Sequence, residues 1–111
     1  MKNYLGEFEE LVLLTIAVLG EDAYGISIKE EIEQRANRSV SIGALHSTIT
    51  RLEEKGYLKS ELGGSTQERG GRRKRFFQIT RGGKAALNES KKLRDELWDD
   101  SKIKLALNYG Y

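Results

Sequence analysis

The sequence predicts a mainly α-helical fold with one small β-hairpin and a long C-terminal helix. Three features of its pattern support this prediction. Apolar residues recur at helical spacing through residues 5–55, the pattern changes to alternation over residues 57–62 and 72–79, and helical spacing returns over residues 81–107. The 111 residues suit one domain with a modest core, and the absence of cysteine excludes disulfides and thiolate metal sites.

The first predicted helix, residues 5–19, is apolar around most of its circumference. One face at helical spacing consists of Leu5, Phe8, Val12, Thr15, Ile16 and Leu19. A second row, formed by Leu11, Leu14 and Val18, broadens the stripe. Because a helix with so wide an apolar surface is buried on two sides, we expect its second side to meet another subunit.

Two shorter helices follow, and the second of them separates its residue types by face. Asp22 is the expected N-cap of a helix ending near Ala36, and Ser41 is the expected N-cap of a helix over residues 42–55, which Gly56 terminates. The inner face of this third helix is predicted to hold Ile42, Leu45, Ile49 and Leu52. Small or hydroxylated residues are predicted to face outward: Ser41, Gly43, Ala44, Ser47, Thr48 and Thr50.

The C-terminal half is predicted to form a hairpin and one continuous helix. Strands over residues 57–62 and 72–79 flank a glycine-rich loop. Thr80 is the expected cap of a helix over residues 81–107, although the Gly82–Gly83 pair weakens its first turn. At 1.5 Å per residue this helix is about 40 Å long and overhangs the core, so we expect it to pack against its copy in a homodimer.

Charge is concentrated in one segment, although the net charge is only +2. Residues 1–35 carry three basic and eight acidic residues, whereas residues 36–111 carry 16 basic and nine acidic ones. The segment from Arg69 to Lys84 has seven basic residues and no acid. This distribution predicts a local electrostatic site for a negatively charged partner, not a uniformly basic surface.

The predicted order of elements is the layout of a winged helix–turn–helix, with residues 1–80 as the DNA-binding domain and residues 81–111 as the dimerisation helix of one compact unit. In that layout the third helix enters the major groove of double-stranded DNA and the hairpin contacts the backbone or the minor groove. The predicted DNA contacts are Ser41, Gly43, Ala44, His46, Ser47, Thr50 and Arg51 in the helix and Arg69, Arg72, Arg73 and Lys74 in the hairpin. Arg75, nearer the root, is expected to pair with an acid such as Glu54 or Glu61.

Several motifs resemble the PadR family of bacterial transcriptional regulators, over about residues 5–87. They are AYG at 23–25, GAL at 43–45, RLEEKG at 51–56 and GGRRKRFFQIT at 70–80. The resemblance implies a homodimeric regulator of the compact branch, with one dimerising helix. It also implies repression from a pseudo-palindromic operator, which an aromatic or drug-like compound relieves in some members.

Two positions depart from the family pattern. The pattern has a DNA-contacting tyrosine after GAL, where this chain has His46, and the exchange bears on which operator is read. The pattern has one glycine after the threonine that follows the second strand, where this chain has Gly82 and Gly83. The extra glycine bears on the angle of the last helix.

Trp98 is the only tryptophan and has two interpretations. Packing along the dimer helix is the ordinary role for such a residue. The resemblance to drug-binding members motivates the alternative, in which Trp98 and its copy line a flat ligand pocket together with Phe8 and Val12. Tyr24 is expected to lie in the core, with its hydroxyl within reach of a DNA phosphate.

Other functional classes have less support in the sequence. An enzyme is not indicated, because the chain has no nucleophile–base pattern, metal-ligand cluster or phosphate loop, and no cofactor or metal is expected. A protein-interaction module on the same scaffold remains open, with the acidic first third as its binding face. The absence of an apolar run of about 18 residues and of a signal peptide predicts a cytoplasmic protein without a membrane partner.

Overall fold

The computed structural model describes residues 4–63 and 73–108. The helices are α1 (Glu7–Leu19), α2 (Gly25–Ala36), α3 (Ile42–Glu54), α4 (Arg81–Ser101) and α5 (Ile103–Asn108), with a 3-10 turn at Gly20–Asp22. Strands β1 (Leu58–Leu62) and β2 (Arg75–Ile79) form an antiparallel hairpin in which Leu58 pairs with Ile79 and Leu62 with Arg75. The predicted fold class, mainly α with a small hairpin and a long C-terminal helix, is confirmed.

Helix α1 lies at the centre of the fold and packs against α2, α3, β2 and α4. Its buried residues Val12, Leu13 and Ile16 meet Ile28 and Ile32 of α2, Leu45 and Leu52 of α3, and Leu58 and Phe77 of the hairpin in one core. Leu14 and Val18, on the other side of α1, are about half exposed. One side of the helix therefore holds the core together, and the other side is open in the protomer.

Helix α2 begins later than the Asp22 cap predicts, and that prediction is wrong. Asp22 lies in the 3-10 turn, and Tyr24 is the residue at the N-cap position. The hydroxyl of Ser27 accepts a hydrogen bond from the Tyr24 backbone N–H at 2.9 Å. The side chain of Ser27, in the first turn of α2, therefore accepts from the backbone N–H at the N-cap position. The prediction had instead assigned the capping side chain to Asp22, which lies before the helix.

Helix α3 has the predicted cap and terminator at its two ends. The Ser41 hydroxyl accepts a hydrogen bond from the Ala44 N–H at 3.1 Å. At the other end the Gly56 N–H donates to the Glu53 carbonyl and the Tyr57 N–H to the Leu52 carbonyl, each at 2.9 Å. This is a Schellman motif, and Gly56 adopts the left-handed φ of 80° that it requires.

The phase of α3 differs from the prediction at two residues. Thr48, expected outside, is buried, whereas Ile42, expected inside, is 42% exposed. The buried set is Leu45, Thr48, Ile49 and Leu52, which is a complete i, i+3, i+4, i+7 stripe. Ile42 lies one turn before this stripe, beyond the edge of the core.

The hairpin is anchored on the segment that precedes α2. The Phe77 N–H donates to the Ala23 carbonyl at 2.9 Å, and the Tyr24 and Phe76 rings meet edge to face with centroids 5.7 Å apart. The predicted aromatic root of the hairpin therefore packs on protein. Because the root is fixed in this way, the basic residues that precede β2 start from a defined position.

The last helix is not continuous, which corrects the prediction of one helix over residues 81–107. Lys102 adopts a left-handed conformation, with φ of 59°, and separates α4 from α5. The Ser101 hydroxyl donates to the Trp98 carbonyl at 2.6 Å and accepts from the Ile103 N–H at 3.2 Å. A serine that bonds the backbone on both sides competes with the helical pattern, which explains the break.

Helix α4 begins in direct contact with the end of α3. The Thr80 N–H donates to the Tyr57 carbonyl at 3.1 Å, and the Thr80 hydroxyl donates to the Gly56 carbonyl at 2.6 Å. Gly83 is buried, and a Cβ there would lie 2.4 Å from the Tyr57 oxygen. The second glycine of the Gly82–Gly83 pair therefore permits a close approach that no other residue allows.

Candidate nucleic-acid interface

The outward face of α3 is a row of small and hydroxylated side chains. Six of the predicted contact residues are exposed on it: Ser41, Gly43, Ala44, His46, Ser47 and Thr50. Residues 41–50 contain no acid. A duplex approaching residues 41–50 thus meets no negative charge there, and the largest side chain among these six is His46. Hydroxyls at these positions suit hydrogen bonds to phosphates or base edges.

The turn between α2 and α3 is held by a carboxylate. Glu33 accepts hydrogen bonds from the Val40 N–H at 2.9 Å and from the Lys29 ammonium at 3.1 Å. The Val40 N–H first, and Lys29 second, lower the pKa of Glu33 below its usual value. Asn37 makes the reversal by adopting a left-handed φ of 52°. These contacts fix the start of α3 relative to α2.

Arg51 lies at the C-terminal edge of the α3 face, and its guanidinium is already engaged. Its Nη2 donates to the Thr48 hydroxyl at 3.2 Å, and its Nε is 3.7 Å from Glu9 Oε2. The side chain is 54% exposed all the same. It therefore meets the protein on one side and solvent on the other.

The root of the basic segment lies beside the start of α2. The Lys74 ammonium is 4.2 Å from the centroid of the Tyr24 ring, a cation–π contact that holds the lysine against the ring. Tyr24 is half-buried, so the core placement predicted for it is only partly right. Arg73 and Lys74 are exposed, while Arg69 and Arg72 lie outside the described residues.

Arg75 is tied into the hairpin, but by other partners than the predicted ones. Its Nη1 donates to the Ser60 hydroxyl at 3.0 Å, and that hydroxyl donates to Glu53 at 3.0 Å. The expected partners were Glu54 and Glu61. The cross-strand register explains the difference, because it pairs Ser60 with Phe77 and leaves its hydroxyl between Arg75 and the end of α3.

The predicted ligand residues do not come together within the protomer. Trp98 lines an open cleft of about 400 Å³ at the α4–α5 break, with Asp99, Lys102, Lys104, Leu105 and Asn108. Phe8 packs on the core, 5.1 Å from the Arg38 guanidinium. Val12 is completely buried, so the protomer offers it to no ligand.

An unpartnered apolar surface runs along α1, α4 and α5. Its exposed members are Leu14, Val18, Leu93, Leu97, Trp98, Ile103, Leu105 and Leu107. Arg94 bonds Glu10 at 3.1 Å and fixes the middle of α4 against α1. This ion pair therefore fixes the exposed apolar residues of α1 in position relative to those of α4.

Glu9 is the residue of this region that the sequence interpretation missed. It is a buried acid on α1 that contacts Arg51 and Lys55 of the third helix. One signal could have found it, because a glutamate three residues after an N-cap is the pattern of a capping box. Its carboxylate accepts the Gly6 N–H at 2.8 Å in that way. The contacts with residues 51 and 55 have no signal in the sequence.

The fold and its exposed face define a winged helix–turn–helix DNA-binding transcription regulator. Among the described residues, no helix is long and apolar enough to cross a membrane, and no cluster of three or more His, Asp or Glu side chains is arranged to hold a metal ion.

The family follows from comparison with known proteins. The model of the transcriptional regulator PadR-like family matches residues 13–89, and the chain belongs to this family. An uncharacterized protein of Lysinibacillus sphaericus is 36% identical over 86 residues, covering 76% of this chain and 74% of that protein.

Solved structures give the same fold. A PadR-like transcription factor of Bacteroides fragilis has a TM-score of 0.70 at 24% identity, covering 86% of this chain and 87% of that one. A PadR family transcriptional regulator of Eggerthella lenta has a TM-score of 0.67 at 25% identity, covering 89% and 86%.

Proposed function

We propose that the protein is a homodimeric repressor that binds a pseudo-palindromic operator. The observation that carries the proposal is the outward face of α3, which has no acid over residues 41–50, together with the anchored basic root of the hairpin. A dimer would present two α3 helices to successive major grooves, about 34 Å apart.

Recognition of the DNA bases is assigned to α3, and contact with the DNA phosphates is assigned to the basic residues that precede β2. Ser47, Thr50 and Arg51 are the proposed base contacts, since they are exposed along the face of α3. Arg73 and Lys74 are the proposed phosphate contacts, together with Arg69 and Arg72. Because each neutralised phosphate releases counterions, these contacts give affinity that falls steeply with salt.

Dimerisation is proposed to bury the apolar rows of α1, α4 and α5. Family members are typically dimers, and Leu93 and Leu97 lie on α4 with about half of their surface open to solvent. A second copy supplies the matching apolar surface, as expected for a two-fold symmetric interface.

Release by a small aromatic compound is the proposed regulation. In a dimer, Trp98 and its copy would form a flat apolar wall, with Phe8 near its edge. A ligand bound there would change the spacing of the two α3 helices and so lower operator affinity. Because Trp98 is the only tryptophan, titration with planar aromatic compounds tests this directly by fluorescence. Unchanged emission across a broad compound panel would argue strongly against it.

The central test is fluorescence anisotropy with DNA from upstream of the protein's own gene and with scrambled DNA, across a salt series. We expect tight binding to the upstream DNA that weakens steeply with salt and exceeds binding to scrambled DNA. Equal weak binding to both would place the operator elsewhere. No binding to either at low salt would contradict the repressor proposal and favour a protein-interaction role.

A further inference from the structure

The guanidinium of Arg51 contacts two buried side chains, Glu9 of α1 and Thr48 of α3. We infer that Glu9 and Thr48 are positioning residues that orient Arg51 for guanine recognition in the operator. The inference rests on the proposed function, because it concerns how α3 reads DNA. It adds two residues, one of them on a different helix, to the determinants of operator choice.

Both anchors act on the same edge of the guanidinium. Nε and Nη2 form one side of this planar group; Nε faces Glu9 at 3.7 Å, and Nη2 donates to Thr48 at 3.2 Å. Within residues 4–63 and 73–108, Nη1 and the second N–H of Nη2 have no partner, and they form the end-on fork of the side chain. An arginine fork is the group that pairs in bidentate fashion with O6 and N7 of guanine.

Both anchors are buried, and Glu9 is bonded to further partners. Thr48 is 2% exposed, within the core stripe of α3. Glu9 accepts the Gly6 N–H at 2.8 Å and the Lys55 ammonium at 2.9 Å, and its side chain is 8% exposed. Because these partners are fixed to backbone or core, Arg51 is oriented before DNA arrives.

The charge balance lets Glu9 orient Arg51 without trapping it. Burial alone would raise the pKa of Glu9, but the Gly6 N–H, Lys55 and Arg51 outweigh burial and lower it. Glu9 is therefore ionised at neutral pH, with Lys55 as its closest cation. Arg51 is the more distant partner, and its exposed half stays available. A preorganised side chain loses less conformational entropy on binding than a free one.

The experiment begins with selection of binding sites from a random duplex library, using the full-length protein. Affinities are then measured for the selected site and for sites in which one G·C pair is replaced by A·T. We expect one position per half-site where guanine is favoured about 10-fold and where Arg51→Ala removes the preference.

The decisive variants are Glu9→Gln and Thr48→Val. Glu9→Gln keeps an acceptor for Gly6 but removes the charge, and Thr48→Val keeps the buried shape but removes the hydroxyl. Each should reduce the guanine preference at that position to about 3-fold or less, with little effect at other positions. In an Arg51→Ala background neither should change the preference further. Thr48→Val keeps the test valid if Glu9→Gln does not fold.

Glu10→Gln is the matched control. Glu10 lies on the same helix as Glu9, but its ion pair is with Arg94 of α4, so the substitution removes a charge without touching a recorded bond to Arg51 and should leave the preference unchanged. Wild-type preference in both Glu9→Gln and Thr48→Val would overturn the inference, as would an Arg51→Ala variant that keeps the guanine preference. A library from which no sequence is enriched would instead overturn the proposed function.

Discussion

Helix α3 and the arm, which consists of α4 and α5, differ in how much of their apolar surface is buried within the protomer. Helix α3 has a side-chain cap, a Schellman terminus and a continuous buried stripe, and its exposed face is mostly small and polar. Helix α4 has a cap too, but only Gly83 and Ala86 are buried along its 21 residues. Leu87 packs at the edge of the core, whereas Leu93, Leu97 and Trp98 are exposed.

The difference separates a unit whose apolar side chains are covered within the protomer from an arm whose apolar side chains only the proposed dimer would cover. The core around α1 closes over α2, α3 and the hairpin, so the DNA-binding half is complete in a single chain. The arm is long, and its large apolar side chains beyond residue 90 keep about half or more of their surface open to solvent in the protomer. The two halves should therefore respond differently to substitution, and four experiments test this.

The largest effect is expected from Leu97→Asp, in the middle of the exposed row on α4. A carboxylate buried in the proposed dimer interface should give monomers, and loss of the second reading helix should lower operator affinity by about 100-fold or more. Light scattering measures the first effect, and anisotropy measures the second. Ile26→Asp, at an equally exposed apolar residue of α2, is the control for oligomeric state. If the Leu97→Asp protein remained dimeric, α4 would not form the dimer interface.

Gly83→Ala should come next, because it acts where the arm meets the core. The new Cβ would lie 2.4 Å from the Tyr57 oxygen and 2.8 Å from Ile79 Cγ2. We expect a loss of about 3 kcal/mol in the free energy of unfolding, measured by denaturant titration. Gly82→Ala is the control, because its Cβ meets nothing closer than 3.4 Å. Equal stability of the two variants would contradict the close approach of α4.

A smaller effect is expected from the pH dependence of stability. The pKa of Glu9 is lower in the folded protein than in the unfolded chain, so its contribution is present above the unfolded value and is lost as the pH falls through the folded one. Thermal unfolding from pH 7 to pH 3 should show a shallower decline for Glu9→Gln than for the wild type. Glu30→Gln, an exposed position on α2, serves as control. If the unfolding temperatures of Glu9→Gln and the wild type fell in parallel with pH, the lowered pKa of Glu9 in the folded protein would be contradicted.

The smallest effects are expected on the DNA-facing surface itself. Arg73→Ala should weaken binding to all sequences alike and reduce the slope of log affinity against log salt by about one unit per protomer. Thr50→Ala should instead change the preferred sequence, by about 1 kcal/mol or less at one position. Anisotropy across salt and sequence separates the two results. If Arg73→Ala left specific and non-specific binding unchanged, the basic segment would have another role.

Local signals in the sequence account for most of the fold. Ser41 and Gly56 mark the ends of α3, and the change to alternation marks the hairpin, because caps, terminators and periodicity each depend on a few adjacent residues. The break at Lys102 was missed, since serine also occurs within helices and the sequence does not show that the Ser101 hydroxyl bonds both the Trp98 carbonyl and the Ile103 N–H. The start of α2 was missed because Ser27 caps from inside the helix.

The candidate site was less predictable than the fold. The exposed residues of α3 follow from helical phase, with Thr48 and Ile42 as the exceptions, and their contacts with DNA stay predictions. The ion pair of Glu9 with Lys55 joins residues 46 positions apart and has no periodic signal. The same holds for Lys74 on the Tyr24 ring, because the chain brings these residues together only through the docking of the hairpin.

The hydrogen bonds of Thr80 to Gly56 and Tyr57 attach the start of α4 to the end of α3, so a change of angle at this junction moves the far end of α4. With 21 residues, α4 is about 32 Å long, so a tilt of about 6° at the junction displaces its far end by about 3.4 Å, the rise of one base pair. In the proposed dimer, the angle at this junction would set the spacing between the two half-sites. A substitution that changed the angle would then change the preferred spacer length, while every side chain of the proposed DNA-facing surface stayed the same.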